Sequence, residues 1–239
     1  METTTNLYLI RHGQAMANIR PLVADMSGGS GLTRYGLAQA EKLRDRLTES
    51  GEIQADVMVS SSFHRASQTA QILAPVWNLP VVLNDEMQEM RAGDDNLSYS
   101  DFDAKHGPPD LENQPFRKLS VNGENFGGFM LRIAAGLDQI TRQYHGQNVV
   151  IVTHGGVING AFSYFFGLSS FLLPQIGLYT RNTSITHWQH RGDNFYKGWR
   201  LEKYNDYHHL RELETQQELY QEDFTHEAAV PVSEGWNKL

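Results

Sequence analysis

Short apolar runs that end in polar residues recur along this chain and predict buried strands. The run Leu7 to Ile10 ends in Arg-His-Gly, and Asp56 to Ser60 ends in further serines. Pro80 to Leu83 is a third short run, whereas Asn148 to Thr153 is almost continuously β-branched. Such a run is typical of a central strand that is covered on both faces of a sheet.

Between these runs the apolar residues recur at helical spacing. After Thr33, a capping residue type, leucines and alanines follow the helical period as far as Glu49, and Gly51 then ends the pattern. Two further helices are predicted from about Arg65 to Val76 and from Glu124 to Tyr144.

Alternation of strands and helices favours an α/β fold with a mostly parallel central sheet and helices on both faces. Two later segments alternate well enough to be strands, Ser184 to His190 and Trp199 to Tyr204. We therefore predict a single domain over residues 1–210, with an insertion at about 90–122 and an acidic C-terminal tail over 211–239. The insertion is rich in proline, shows little periodicity and is expected to carry residues that face the substrate.

The composition narrows the range of possible functions. The chain has 239 residues, no cysteine and a net charge of −8, and its tail holds seven acidic residues against two basic ones. Disulfides and thiolate metal sites are excluded, and the absence of cysteine fits a reducing compartment. The nearly balanced body has no basic surface of the kind that binds nucleic acid or an anionic membrane.

Two segments bear on a membrane location. The first residues, 1–5, lack the basic residues and the apolar core of a signal peptide, so a cytoplasmic protein is expected. Gly155 to Thr180 contains no charged residue and is long enough to span a bilayer, but several glycines and Pro174 interrupt it. We interpret this segment as a buried helix followed by an apolar loop.

Polar clusters follow four of the predicted strands, where an α/β sheet usually carries its ligand site. They are Arg11-His12, the segment Ser60 to Arg65, Glu89 and His154. Two arginines and two histidines can bind a phosphoryl group, because guanidinium and imidazole donors match its oxygens. No clustered spacing of metal ligands is present, so these side chains would have to meet the charge of a phosphate.

This set of residues can also carry out phosphoryl transfer. A neutral imidazole can attack phosphorus and form a phosphohistidine, which divides one difficult displacement into two easier ones. A nearby carboxylic acid would protonate the leaving alcohol and then deprotonate the attacking water.

The chain resembles the histidine phosphatase superfamily of phosphoglycerate mutase-like enzymes over roughly Leu7 to Leu210. The resemblance rests on Leu9-Ile10-Arg11-His12-Gly13 with Asn18, on Leu32-Thr33 with Gly36, on Ser60 to Ala66 with Gln68-Thr69-Ala70, and on Val152-Thr153-His154-Gly155-Gly156.

The resemblance implies a role for each matched residue. His12 would be the nucleophile, and Arg11, Asn18 and Arg65 would contact the phosphate. His154 would bind the phosphate and stabilise the transition state, with Gly155 beside it.

The acid is identified by its spacing from a glycine. In the family it belongs to a Leu-x-Glu block four residues ahead of a glycine, and Met87-Gln88-Glu89 followed by Gly93 has that spacing. Glu86 fits this pattern less well. Glu89 is therefore the expected general acid and base.

The resemblance leaves a phosphatase and a mutase open. Mutases of the family usually have Gly-Asn after the second histidine, whereas this chain has Gly155-Gly156-Val157-Ile158, which favours a phosphatase of the histidine acid phosphatase type. A third possibility is a module that binds a phosphorylated ligand without turnover.

The partners and cofactors expected from this interpretation are few. We expect a small phosphorylated substrate, no cofactor, no metal, and a monomer or homodimer. Secondary candidates for substrate contacts lie in the insertion at His106, Arg117 and Lys118.

Overall fold

The computed structural model describes residues 4–19, 30–93, 97–168, 177–192 and 197–215. The described residues form one sheet of six strands in the order β3-β2-β4-β1-β5-β6. The strands are β1 (Thr5–Arg11), β2 (Val57–Ser61), β3 (Val81–Asn84), β4 (Asn148–Thr153), β5 (Ile185–Gly192) and β6 (Lys197–Asp206).

The four strands from β3 to β1 are parallel, and β5 and β6 continue the sheet in antiparallel orientation. The main helices are α2 (Arg34–Ser50), α3 (His64–Leu73), α5 (Phe126–Gln143) and α6 (Gly155–Phe165), and the shorter ones are α1 (Met16–Ile19), α4 (Tyr99–His106) and α7 (Arg211–Thr215). The predicted α/β class with a mostly parallel sheet is confirmed.

Helices cover both faces of the sheet because β1 and β4 are apolar on both sides. Leu7 and Leu9 point into a core with α5 and α6, whereas Ile10 points into a core with α2 and α3. β4 contributes to both cores in the same alternating way, with Ile151 on one side and Val152 on the other. Burial on both faces explains why β4 reads as an unbroken apolar run.

The helix boundaries follow local capping chemistry. Thr33 Oγ1 accepts the Gly36 N–H at 2.9 Å, and Gly51 ends α2 in the left-handed conformation, both as predicted. The predicted end of α3 at Val76 was wrong, since the helix ends at Leu73 and a 3-10 turn covers Ala74–Val76. Pro75 has no N–H to donate, so the α-helical pattern cannot continue through it.

Two other boundaries differ from the prediction. The third strand was expected at Pro80 to Leu83 but is Val81–Asn84, which pairs with β2. The insertion contains the helix α4, which periodicity did not reveal because only Phe102 of that helix is buried.

The predicted apolar loop and the predicted acidic tail are only partly described by the structure. The buried helix expected from Gly155 is α6, while part of the apolar loop expected after it lies outside the described residues, at 169–176. The tail is described only to Thr215, and Leu213 of α7 is buried with Tyr35 of α2 and Leu210. Division of the chain at residue 210 therefore stays a prediction. Among the described residues, no helix is both long and apolar enough to cross a membrane.

Candidate active site

His12 and His154 lie side by side because of the register between β1 and β4. Arg11 is opposite Thr153, the last pair of the parallel ladder, and the His12 N–H donates to the Thr153 carbonyl at 2.9 Å. Each strand then continues by one residue into a histidine. The two rings meet edge to face with centroids 5.1 Å apart, and both side chains are buried.

The hydrogen bonds of His12 determine which ring nitrogen is nucleophilic. His12 Nδ1 lies 2.6 Å from the Gly13 carbonyl oxygen, which can only accept, so Nδ1 carries the proton. Nε2 therefore has a lone pair, and it accepts from Arg65 Nε at 3.2 Å. The lone pair of Nε2 therefore points towards Arg65.

Burial and nearby cations keep both histidines neutral. Burial lowers the pKa of His12 well below its usual value, and the charges of Arg65 and Arg11 lower it further, although the hydrogen bond to Gly13 opposes this. The pKa of His154 is also lowered well below its usual value, first by burial and then by Arg65. Neutral imidazole is the form that can act as a nucleophile.

Arg65 is positioned by the first turn of α3. Its guanidinium lies 5.2 Å from the centroid of the Phe63 ring, and the residue is only 3% exposed. Thr69, one turn later, donates to the Arg65 carbonyl and accepts the Gly13 N–H at 3.1 Å. Thr69 thus ties the helix that carries one cation to the loop that follows His12.

Arg11 is held by the chain segment that precedes β5. One terminal nitrogen donates to the Thr180 carbonyl, whereas its buried Nε has no hydrogen-bond partner among the described residues. Burial lowers the pKa of Arg11, and the charges of Glu89 and Tyr179 partly oppose this shift. Arg11 therefore offers a buried N–H donor close to an acidic side chain.

His154 is oriented by a serine on the neighbouring strand. Its Nε2 lies 2.8 Å from Ser61 Oγ, and its Nδ1 is buried without a hydrogen-bond partner among the described residues. The ring also meets Phe63 edge to face. Ser61 thus fixes the ring and leaves its other nitrogen unpaired.

Glu89 is seated against the first turn of α6. Its Oε2 accepts the Gly156 N–H at 2.9 Å, and its Oε1 accepts the Met90 N–H at 3.1 Å. A Cβ atom at position 156 would lie 2.2 Å from Oε1, so this position must be glycine unless Glu89 moves.

The remaining predicted residues, Asn18 and Gly155, lie around this group. Asn18 Oδ1 accepts the Ala15 N–H at 3.0 Å and lies 3.4 Å from Asn182 Nδ2, which donates to the His12 carbonyl. Gly155 begins α6 next to Arg11, since a Cβ there would lie 3.7 Å from Arg11 Nε. The described structure therefore brings together the residues to which the resemblance assigned a role.

Sequence reasoning missed several residues that shape the site. Ser61 was inside a noticed run of serines, but nothing in the sequence linked it to His154. Tyr179 is 71% exposed and near enough to raise the pKa of Arg11, and Arg132 contacts the segment that carries Glu89. Only their spatial positions mark these residues.

Arg117, one of the three candidates for substrate contacts in the insertion, is bound to the backbone of the insertion. Arg117 donates to the carbonyls of His106, Gly107 and Pro108, and so closes the insertion on itself. Among the described residues, no group of three or more histidine, aspartate or glutamate side chains is arranged to hold a metal ion.

The carboxyl ends of β1 and β4 thus place two histidines beside two arginines and a carboxylate, an arrangement that can bind and transfer a phosphoryl group. The model of the histidine phosphatase superfamily (branch 1) matches residues 7–207. The chain belongs to this family, whose members are phosphatases or mutases that act through phosphohistidine.

Relatives of both kinds are similar to this chain. An adenosylcobalamin/alpha-ribazole phosphatase of Escherichia coli K12 is 28% identical over 172 residues, which cover 68% of this chain and 79% of that protein. A probable phosphoglycerate mutase GpmB of Yersinia pestis (strain Pestoides F) is 27% identical over 214 residues, covering 85% and 94%.

The fold is shared with solved structures of similar size. YhfR of Bacillus stearothermophilus superposes with a TM-score of 0.69 at 26% identity, covering 87% of this chain and all of that one. The predicted family and its phosphoglycerate mutase-like fold are confirmed.

Proposed function

We propose that this protein is a phosphomonoester hydrolase that acts on a small phosphorylated metabolite through a phosphohistidine at His12. The observation that carries the proposal is the contact between Arg65 Nε and His12 Nε2. It marks a neutral, buried nucleophile beside a cation that can bind the phosphate.

In the first step, the Nε2 lone pair of His12 attacks phosphorus as the bond from phosphorus to the leaving oxygen breaks. Glu89, in its protonated form, gives its proton to that oxygen, so the product leaves as an alcohol. Glu89 is suited to this role because it lies close to Arg11, which would hold the phosphate.

In the second step, water attacks the phosphorus of the phosphohistidine. Glu89, now a carboxylate, accepts a proton from the water, and the bond between nitrogen and phosphorus breaks. The electron pair of that bond returns to Nε2, which restores the neutral imidazole and releases inorganic phosphate.

The phosphate oxygens would be bound by donors that are otherwise unused or easily redirected. Arg11 Nε and His154 Nδ1 are buried without partners among the described residues, and Arg65 adds a second guanidinium. Gly155 would offer its N–H at the start of α6, where the helix dipole favours an anion, and Asn18 would contact the open side. These donors are preorganised for the charge that spreads over the oxygens in the transition state.

A phosphoglycerate mutase is the second candidate, because a probable phosphoglycerate mutase matches 85% of this chain. The position of Glu89 favours hydrolysis. Mutases of the family usually have asparagine where this chain has Gly156, and any Cβ at that position would meet Glu89 at 2.2 Å.

The test is turnover of an aryl phosphate at mildly acidic pH by the protein and by its His12→Ala variant. We expect release of phosphate, with loss of at least about 10³-fold in the variant, as is typical when a covalent nucleophile is removed. No release above the variant would instead indicate a binding module. Exchange between 3- and 2-phosphoglycerate in the presence of the bisphosphate would identify a mutase.

The proposal includes three further properties. The enzyme would need no metal, since the arginines and histidines meet the phosphate charge, and excess chelator should leave turnover unchanged. It would act in the cytoplasm as a monomer or homodimer, without binding nucleic acid. Inactivation by the chelator would show a metal requirement, and sedimentation measures the oligomeric state directly.

A further inference from the structure

The segment that carries Glu89 belongs to no strand or α-helix beyond a short 3-10 turn at Asp85–Met87. The backbone carbonyls of residues 86–89 nevertheless all accept hydrogen bonds, and side chains supply the donors. Thr153 Oγ1 donates to the Met87 carbonyl at 2.8 Å. Buried carbonyls must find donors, so the conformation of this segment depends on the side chains that bind it.

One arginine on α5 binds the other carbonyls. Arg132 Nη1 donates to the Glu86 carbonyl at 2.8 Å and to the Gln88 carbonyl at 3.0 Å, and Nη2 donates to the Glu89 carbonyl at 3.2 Å. The same side chain therefore contacts the backbone of the candidate acid and of the residue before it.

Glu124 fixes the orientation of this guanidinium. It accepts from Arg132 Nε at 2.7 Å and from Nη2 at 2.8 Å in a two-pronged pair, and its Oε2 also accepts the Arg91 N–H at 3.0 Å. The Arg132 side chain is 9% exposed and the Glu124 side chain 18%, so solvent screens the pair only weakly.

We propose that Arg132, held by Glu124, is a positioning residue that sets the place of the Glu89 carboxyl relative to the leaving oxygen. The proposal rests on the proposed role of Glu89 as general acid. Arg132 is not one of the proposed phosphate-binding residues, and it acts on Glu89 through its hydrogen bonds to the backbone of this segment.

The count of donors makes the arginine hard to replace. Its five N–H groups serve six acceptors, namely two carboxylate oxygens, the three carbonyls described above and, at 3.4 Å, the carbonyl of Asp85. Lysine keeps the positive charge but has three N–H donors at a single point, so it cannot serve all of these acceptors at once. Arg132→Lys therefore loosens the segment while preserving the cation.

Preserving the cation matters because Arg132 also acts at a distance. Burial, followed by Arg65, His12, Arg11 and then Arg132, lowers the pKa of His154. A variant that removed the charge would change His154 as well as Glu89. The lysine variant separates the two effects.

The experiment compares an alkyl phosphate with p-nitrophenyl phosphate. The quantity measured for each substrate is kcat/KM, because kcat/KM reports on the first phosphoryl transfer and not on hydrolysis of the phosphohistidine. An alkoxide needs a proton from the acid, whereas nitrophenolate scarcely does. We expect Arg132→Lys to lose roughly 10- to 100-fold on the alkyl phosphate, the scale of a displacement of about 1 Å, and to lose much less on the aryl phosphate. Equal losses on both substrates would overturn the proposal.

A second arginine of α5 supplies a matched control. Arg142 is on α5 and pairs with Asp138 at 2.9 Å, but its side chain is 79% exposed. Arg142→Lys should leave both values unchanged. If Arg132→Lys unfolds, Glu124→Gln gives a second test, since it keeps the shape of Glu124 and weakens its hold on Arg132; the same selective loss is expected.

A double variant separates this proposal from the proposed function. In a Glu89→Gln background, Arg132→Lys should add no further selective loss, because the acid is already gone. If Glu89→Gln is selective and Arg132→Lys is not, the positioning role alone is wrong. If Glu89→Gln shows no selectivity, the acid role fails and the positioning role fails with it.

Discussion

Arg65 Nε lies 3.2 Å from His12 Nε2, so a guanidinium donor and the lone pair of an imidazole share one buried site. The contact does two things. It disfavours protonation of His12, because a second positive charge would face the first, and it keeps a phosphate-binding cation next to the atom that would attack phosphorus.

This relationship predicts the acidic side of the pH profile. The pKa of His12 is lowered by burial first and then by Arg65 and Arg11. The neutral form therefore persists below pH 6.5, and kcat/KM should begin to decrease on the acidic side only at a pH below that value. In Arg65→Gln, this decrease should begin at a higher pH, while kcat/KM is lower at every pH.

The measurement is kcat/KM for p-nitrophenyl phosphate between pH 4 and 8, since the nitrophenyl group depends little on the acid. A wild-type acidic limb at or above pH 6.5 would contradict the environment described for His12.

Gly156→Ala should disturb the acid directly. The added Cβ would lie 2.2 Å from Glu89 Oε1, so the carboxylate must leave its position against α6. We expect a loss of about 10²-fold on an alkyl phosphate and a smaller loss on an aryl phosphate.

Gly155→Ala provides the comparison for this substitution. Its Cβ would meet its nearest neighbour, Thr180 Oγ1, at 3.4 Å, which is ordinary contact. A smaller and unselective loss is expected there. Equal selectivity in the two variants would argue against the special position of Gly156.

Ser61→Ala should impair His154 without changing leaving-group dependence. The serine hydroxyl is the partner of His154 Nε2 at 2.8 Å, and its removal leaves a buried ring nitrogen unpaired. Loss of one such hydrogen bond costs about 1–3 kcal/mol, which corresponds to about 5- to 150-fold in kcat/KM if it is expressed in the transition state.

Alkyl and aryl phosphates should therefore slow by the same factor in Ser61→Ala. Ser67, a partly buried residue of α3 whose hydroxyl donates to the His64 carbonyl, is the control, and Ser67→Ala should match the wild type. A selective loss in Ser61→Ala would mean that the serine acts through the acid instead.

His209 should make stability depend on pH. It lies between Arg46 and Thr183, with its Nε2 3.0 Å from Thr183 Oγ1, and burial followed by Arg46 lowers its pKa to about 3. The unfolded chain binds the proton at about pH 6.5, so unfolding takes up a proton between pH 6.5 and 3. Stability therefore falls as pH falls through this range.

Urea unfolding at pH 7 and pH 5 measures this effect. Between these values the wild type should lose about 2 kcal/mol more than His209→Asn. The exposed His145 supplies the control, because His145→Asn should keep the wild-type dependence. An unchanged pH dependence in His209→Asn would show that His209 is not held neutral in the folded protein.

The sequence by itself determined the family and the order of the strands along the chain, and it predicted the residues of the candidate site. These depend on local features: apolar runs with polar ends, the Thr33 cap and motifs of fixed spacing. His12, Arg65 and His154 could be named because each follows a strand, and parallel strands carry such residues to one edge of the sheet.

The tertiary structure alone decided how these residues meet. Three sets of hydrogen bonds join segments that are 43 to 93 residues apart in the sequence. Ser61 binds His154, Glu89 accepts the Gly156 N–H, and Arg132 donates to carbonyls within residues 86–89. Strand register and the close approach of α5 and α6 create these contacts, and neither leaves a periodic signal in the chain. The sequence thus named His12 of Arg11-His12-Gly13 as the candidate nucleophile, while folding supplied the neighbours that lower its pKa.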